Sequence, residues 1–235
     1  MHIIPVIDLM HGHVVQAVRG QRQHYRPIQS QLTSSHHLID VVDAILQVYP
    51  FDCVYIADLN AITKDTQLAD HRALIQRAMQ SFPQITWWVD AGICTSQDLQ
   101  RWQGIGVTPI LASEVLGSIE SYQQLYQQAP ESRLSLDFFS EGFKGPAGLL
   151  ENSALWSQPT ILMSLPKVGA QQGPDLDRLM HMRQHTPKQQ FYAAGGVRHM
   201  EDIQALAAQG AYGVLIASAL HQKQLNSRQI TTFQP

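Results

Sequence analysis

The chain has 235 residues, 44% of them hydrophobic and 15% charged, with a formal net charge of -3 at pH 7. That balance gives no basic footprint for nucleic acid, there is no apolar run of membrane-spanning length, and the opening "MHIIPVIDLM" lacks the parts of a signal peptide, so a cytoplasmic protein with neither nucleic-acid nor membrane partners is expected. Cys53 and Cys94 are too few for a disulfide framework and read as reduced core thiols, and with no linker or low-complexity tract a single domain over residues 1–235 is expected; composition says nothing of the oligomeric state.

Eight short apolar runs follow one another: 3–8 (IIPVID), 53–58 (CVYIAD), 85–90 (ITWWVD), 107–113 (VTPILAS), 133–138 (RLSLDF), 160–164 (TILMS), 190–194 (QFYAA) and 213–218 (GVLIAS). Continuous rather than alternating apolar runs suit strands buried on both faces, as parallel strands are. Helix-like stretches lie between most of them, including 38–49 and 200–210. Eight strand-helix units in a chain of this length predict an α/β fold, a closed (β/α)8 TIM barrel whose active site lies at the C-terminal ends of the strands. Of the pair Trp87-Trp88, one ring should fill the barrel and the other should pack against the outer helices.

The unit is duplicated. Residues 87–116 slide without gaps onto 191–220, pairing Gly92 with Gly196, Asp98 with Asp202 and Gly106 with Gly210; one inserted residue then aligns Ala112-Ser113 with Ala217-Ser218. Two half-barrels of a phosphate-binding type account for this better than a solenoid repeat, whose period is far shorter. Small residues at strand ends let a ligand approach the backbone, so Gly195, Gly196, Ala217 and Ser218 form a candidate phosphate cup, with Gly173 grouped beside them.

Carboxylates gather at the predicted strand ends, and bringing them to one mouth is costly. Asp8 and Asp137 end strands one and five and would face each other, which suits a general base and a general acid with pKa values pushed apart. Asp58, Asp90 and Glu114 are possible accessory residues; they are also the oxygen donors that would suit Mg²⁺, although no metal or other cofactor is assigned. Helix capping is the competing role for any one of these acids. The loop at 18–27 (VRGQRQHYRP) brings Arg19, Arg22 and Arg26 near Tyr25, a candidate clamp for an anionic substrate, and Lys64 and Lys144 are placed to reach the mouth.

The opening at 3–20, "YIADLNAI" at strand two, "LSLDF" at strand five, "AAGGVRHMEDI" and "GVLIASAL" resemble the histidine-biosynthesis phosphoribosyl isomerase and its cyclase sibling, from residue 3 to about 222. The resemblance implies a half-barrel-duplicated (β/α)8 enzyme catalysing an Amadori rearrangement of an aminoaldose to an aminoketose. Its two aspartates are matched by Asp8 and Asp137, and its second-half phosphate site by Gly195, Gly196, Ala217 and Ser218. The chain departs from that pattern where the family has a Gly-Gly-Gly-hydrophobic-Arg turn after strand three. Here the turn reads "DAGIC", with Asp90 and Ala91 for two glycines and Cys94 for the arginine. After strand six, "KVGA" leaves Ala170 in place of a substrate-handling threonine. A carboxylate at Asp90 repels a phosphate dianion, so the expected substrate is a phosphorylated small molecule other than the doubly phosphorylated one of the histidine pathway, with cofactor biosynthesis as a candidate setting. The alternatives are the genuine histidine-pathway isomerase and a non-catalytic phosphate-binding barrel.

Overall fold

A computed structural model describes residues 1–64 and 68–233. Eight strands run parallel: β1 (His2–Met10), β2 (Cys53–Asp58), β3 (Thr86–Asp90), β4 (Thr108–Ala112), β5 (Arg133–Phe139), β6 (Thr160–Ser164), β7 (Phe191–Ala194) and β8 (Gly213–Ile216). Each pairs with the next, and β8 returns to β1 with Val214 opposite Ile3, so the sheet closes into the expected TIM barrel.

The strands are laid down by period-two alternation. Ile4, Tyr55, Trp88, Ile110, Ile161, Tyr192 and Leu215 fill the interior as one cluster. The intervening residues, Ile3, Val54, Trp87, Leu111, Leu162 and Val214 among them, join the larger cluster under the helices. The two tryptophans therefore divide as alternation requires: Trp88 sits inside, edge-on to Tyr192, and Trp87 sits outside.

The helices that follow the strands are α1 (Leu38–Val48), α2 (Leu59–Thr63), α3 (Arg72–Ser81), α4 (Ser96–Trp102), α5 (Ile119–Gln128), α6 (Leu176–His185), α7 (Met200–Ala208), α8 (Ser218–His221) and α9 (Ser227–Thr231). Between β5 and β6 a short hairpin strand, Gly142–Lys144, and a 3₁₀ turn, Ser153–Leu155, stand where an α-helix would be. A second hairpin, His13–Gln16, folds back on β1 and leads into the arginine-bearing loop.

The duplication is visible in the backbone. Gly92 and Gly196 both adopt positive φ, 61° and 88°. Asp98 accepts from the N–H of Cys94 and Asp202 from that of Arg198, four residues back in each case. These bonds pin the turn after β3 and the turn after β7 to their following helices in the same way. No helix among the described residues is long and apolar enough to cross a membrane.

Candidate active site

Alternation decides which strand-end residues look into the barrel. Continuing the inward rows upward from Ile4, Trp88 and Tyr192 leads to Asp8, Asp90 and Ala194, and the inward face of β5 carries Asp137 with Phe139 beyond it. These residues line a cavity of about 240 Å³ at the C-terminal mouth, together with Gly195, Gly196, Ala217 and Ser218. That volume lies at the small end of ligand cavities.

The acids differ in how they are held. Asp137 is buried; its Oδ1 accepts from Ser135 Oγ at 2.7 Å, and its Oδ2 from the Glu114 N–H at 3.0 Å and Ser113 Oγ at 3.3 Å. Ser113 is itself fixed by donating to the Lys144 carbonyl, so the Gly142–Lys144 hairpin braces this carboxyl. Asp90 is also buried, its Oδ1 accepting from the Gly92 N–H at 3.0 Å and its Oδ2 facing the Tyr55 hydroxyl at 3.5 Å. Asp8 keeps some exposure to the cavity, and no described residue donates to its carboxyl.

Desolvation dominates all three and pushes each carboxyl from 3.8 up to about 7. The Arg22 charge opposes the rise at Asp8, the Gly92 N–H opposes it at Asp90, and the bonds from Ser135 and Glu114 oppose it at Asp137. Burial at a shared mouth raises Asp8 and Asp137 in the same direction. Carboxyls raised toward neutrality in this way are suited to giving and taking protons, which is what acid-base chemistry requires.

Of the candidate arginines only Arg22 lines the cavity, and its Nη2 donates to Glu114 Oε1 at 2.7 Å. Arg19 is exposed, its backbone N–H bonded to the Val168 carbonyl, and Arg26 turns its guanidinium onto the carbonyls of Gln23 and Tyr25. The three-arginine clamp thus reduces to one residue already paired with an acid. Lys144 does reach the mouth, 3.8 Å from Glu114. Lys64 does not: its Nζ lies 2.6 Å from Cys94 Sγ and 3.5 Å from Asp98, outside the cavity wall. Cys94 is accordingly half-buried in a polar pair rather than a core thiol; Cys53 is buried as expected.

Asp58 also departs from its expected place at the mouth. It is fully buried and points out of the barrel, accepting from the Ala61 N–H to cap α2 and from both the N–H and Nδ1 of His71, each at 2.7 Å. It is a structural clasp, and the oxygen-donor set Asp58, Asp90 and Glu114 is not assembled. Among the described residues no three His, Cys, Asp or Glu side chains are grouped as metal donors.

At the opposite rim Gly195 and Gly196 hold φ of 103° and 88°. A Cβ on Gly195 would strike the Ser164 carbonyl and one on Gly196 the Gly173 carbonyl, so both positions require glycine. Gly173 therefore supports the cup from behind and does not line the cavity. Arg198, at the position equivalent to Cys94, does line it while bonded to both oxygens of Asp202. Sequence reasoning missed Arg198 and Tyr55, although the internal repeat and the strand alternation respectively point to them.

The model of the family described as histidine biosynthesis protein matches residues 2–226. An uncharacterized protein of Methanocaldococcus jannaschii is 28% identical over 98% of this chain and 97% of its own. A Listeria monocytogenes isomerase, whose name specifies an imidazole-4-carboxamide bearing two phosphoribosyl groups, is 22% identical over 98% of this chain and 97% of its own. The Myxococcus xanthus isomerase of the same name is 42% identical over 28% of each chain.

Proposed function

Because the chain belongs to the histidine biosynthesis protein family, whose named relatives are isomerases, we propose that it is an aldose-ketose-type isomerase acting on a phosphorylated small molecule other than the doubly phosphorylated histidine-pathway substrate. The observation that carries this reading is the unequal mouth: an acid pair, Asp8 and Asp137, between a glycine-built rim at β7 and β8 and a buried carboxyl, Asp90, at the equivalent place on β3. Asp90 and Glu114 offer a phosphate no donor, whereas Gly195, Gly196 and Ser218 offer it backbone and hydroxyl groups.

In the mechanism that this geometry supports, Asp137, fixed by its donors, gives a proton to the ring oxygen of the sugar and opens it. Asp8, whose carboxyl no described donor quenches, takes the proton from the carbon next to the carbonyl equivalent. The product forms when Asp8 returns that hydrogen to the former carbonyl-equivalent carbon and the hydroxyl on the deprotonated carbon, becoming the ketone, gives its proton back to Asp137, so both acids end as they began. Ser135 and Ser113 orient Asp137, and Arg22 supplies positive charge beside Asp8.

The test is complementation of a histidine auxotroph lacking the isomerase, paired with an in vitro assay on the histidine-pathway substrate. Failure of both by a folded protein is expected. Growth with ordinary turnover would instead establish the reading that the isomerase relatives' names favour, with Arg22 and Lys144 serving the second phosphate. The protein's place in the cytoplasm and its action as a single domain belong to the same proposal.

A further inference from the structure

We infer that the substrate carries a protonated amine at the end opposite its phosphate, and that Asp90 is the residue that recognises it. This rests on the reading above, in which the Gly195-Gly196 rim takes the phosphate.

The reasoning starts from the charges lining the cavity. Four carboxyls face it, Asp8, Asp90, Glu114 and Asp137, against three cationic side chains, Arg22, Lys144 and Arg198. The cations are already committed. Arg198 is bonded to both oxygens of Asp202, which does not line the cavity. Arg22 and Lys144 both lie against Glu114, at 2.7 and 3.8 Å. Among the described residues, Asp8, Asp90 and Asp137 therefore have no cation within ion-pair distance. Buried acids without a counter-charge are costly, and proteins retain them where a ligand supplies the missing charge or where chemistry needs them.

Chemistry accounts for two of the three. Asp8 and Asp137 end β1 and β5 and form the acid-base pair; Asp90 has no part in it. The internal repeat shows the equivalent turn built without a carboxyl: the same position on β7 is Ala194, with the same strand length above the interior layer and the same left-handed glycine two residues on. The adjoining exchange tells the same story: Ala91 stands opposite Gly195. One half keeps the small residues that admit an anion. The other presents a carboxylate and, at 3.5 Å, the Tyr55 hydroxyl. A carboxylate with a neighbouring hydroxyl is a site for an ammonium group, which brings several donors and a full positive charge. Glu114 cannot serve as well, its charge being spent on Arg22 and Lys144.

The test uses ω-aminoalkyl phosphates of increasing chain length, each against the ω-hydroxyalkyl phosphate of the same length, with inorganic phosphate as the reference ligand for the rim. Affinities are read by calorimetry on the full chain. At one chain length the amine is expected to bind about tenfold more tightly than its hydroxyl partner. In Asp90→Asn that ratio should fall to near one, while Glu114→Gln should retain it; inorganic phosphate titrations report that both variants keep the rim. Phosphate binding with no amine preference at any length overturns the inference and leaves the functional reading intact. No binding of inorganic phosphate or of any alkyl phosphate overturns both. A preference that survives in Asp90→Asn, or that Glu114→Gln abolishes, overturns the assignment to Asp90.

Discussion

Arg22 Nη2 and Glu114 Oε1 are 2.7 Å apart, an ion pair that ties the loop after β1 to the turn after β4 at the cavity wall. The Glu114 side chain is only 10% exposed, so removing its partner strands a nearly buried charge with Lys144 at 3.8 Å as the remaining cation. Arg22→Ala is expected to lower the melting temperature by about 2–4 °C, the equivalent of about 1 kcal/mol in a chain of this size. Adding Glu114→Gln should restore most of the loss, because the orphaned charge is gone. A double variant no more stable than the single one would mean that the contact acts through packing and not through charge.

The acid pair makes a kinetic prediction. Asp8→Asn and Asp137→Asn should each reduce kcat by about 10²-fold or more on whatever substrate is identified, the usual loss for a positioned proton-transfer group. With both carboxyls raised to about 7 by burial, the rate should peak near neutrality and fall on either side. Full activity in either variant removes that residue from the mechanism.

The same burial predicts a stability profile with a definite sign. A carboxyl at about 7 in the folded chain and near 3.8 unfolded binds an extra proton in the folded state between those values. The stability it contributes is complete below about pH 4 and is lost as the pH rises through about 7. His221, buried and pushed down to about 4, works against this at the acidic end. The informative quantity is therefore the melting temperature of Asp90→Asn minus that of the parent, which should grow by several degrees from pH 4 to pH 8. A difference that is flat with pH would show that Asp90 titrates normally.

For the proposed phosphate rim, Ser218 is the position to change, since any side chain at Gly195 or Gly196 would disturb the backbone itself. Ser218 lines the cavity and is only half-buried, so a larger side chain has room. Ser218→Glu should weaken inorganic phosphate binding by about tenfold or more through like-charge repulsion, with the melting temperature little changed. Unaltered phosphate affinity would place the anion elsewhere.

How much of this could be read from residues alone depends on the period involved. All eight strands were legible because a parallel barrel buries both faces and leaves unbroken apolar runs; β1 extends past its predicted end because His13–Gln16 pairs back on Met10 and Leu9 while Leu9 also pairs with Asp58 on β2. Asp58 and Asp90 look alike as strand-end aspartates, yet they point to opposite sides. The alternation that puts Tyr55 and Ala57 inside already turns Asp58 out, whereas Trp88 inside carries Asp90 in with it. The arginine loop was less tractable. Three arginines at 19, 22 and 26 have no common period, and Arg19 sits in a left-handed turn with φ of 51°, which no pattern of residue types announces. The Gly142–Lys144 hairpin that braces Asp137 was missed for a similar reason: three residues are too few to carry a period.

The two halves of the barrel share their turns, their glycines and the Asp98 and Asp202 clasps, but they present opposite characters to the cavity. A duplicated frame with matching rims would accept a two-ended molecule either way round, and each orientation would show Asp8 a different carbon. If the glycine rim takes the phosphate as proposed, a molecule with one phosphate has one direction in which to lie. On the function proposed above, the asymmetry would act on regiochemistry: the same carbon, and the same face of it, would meet Asp8 in every encounter.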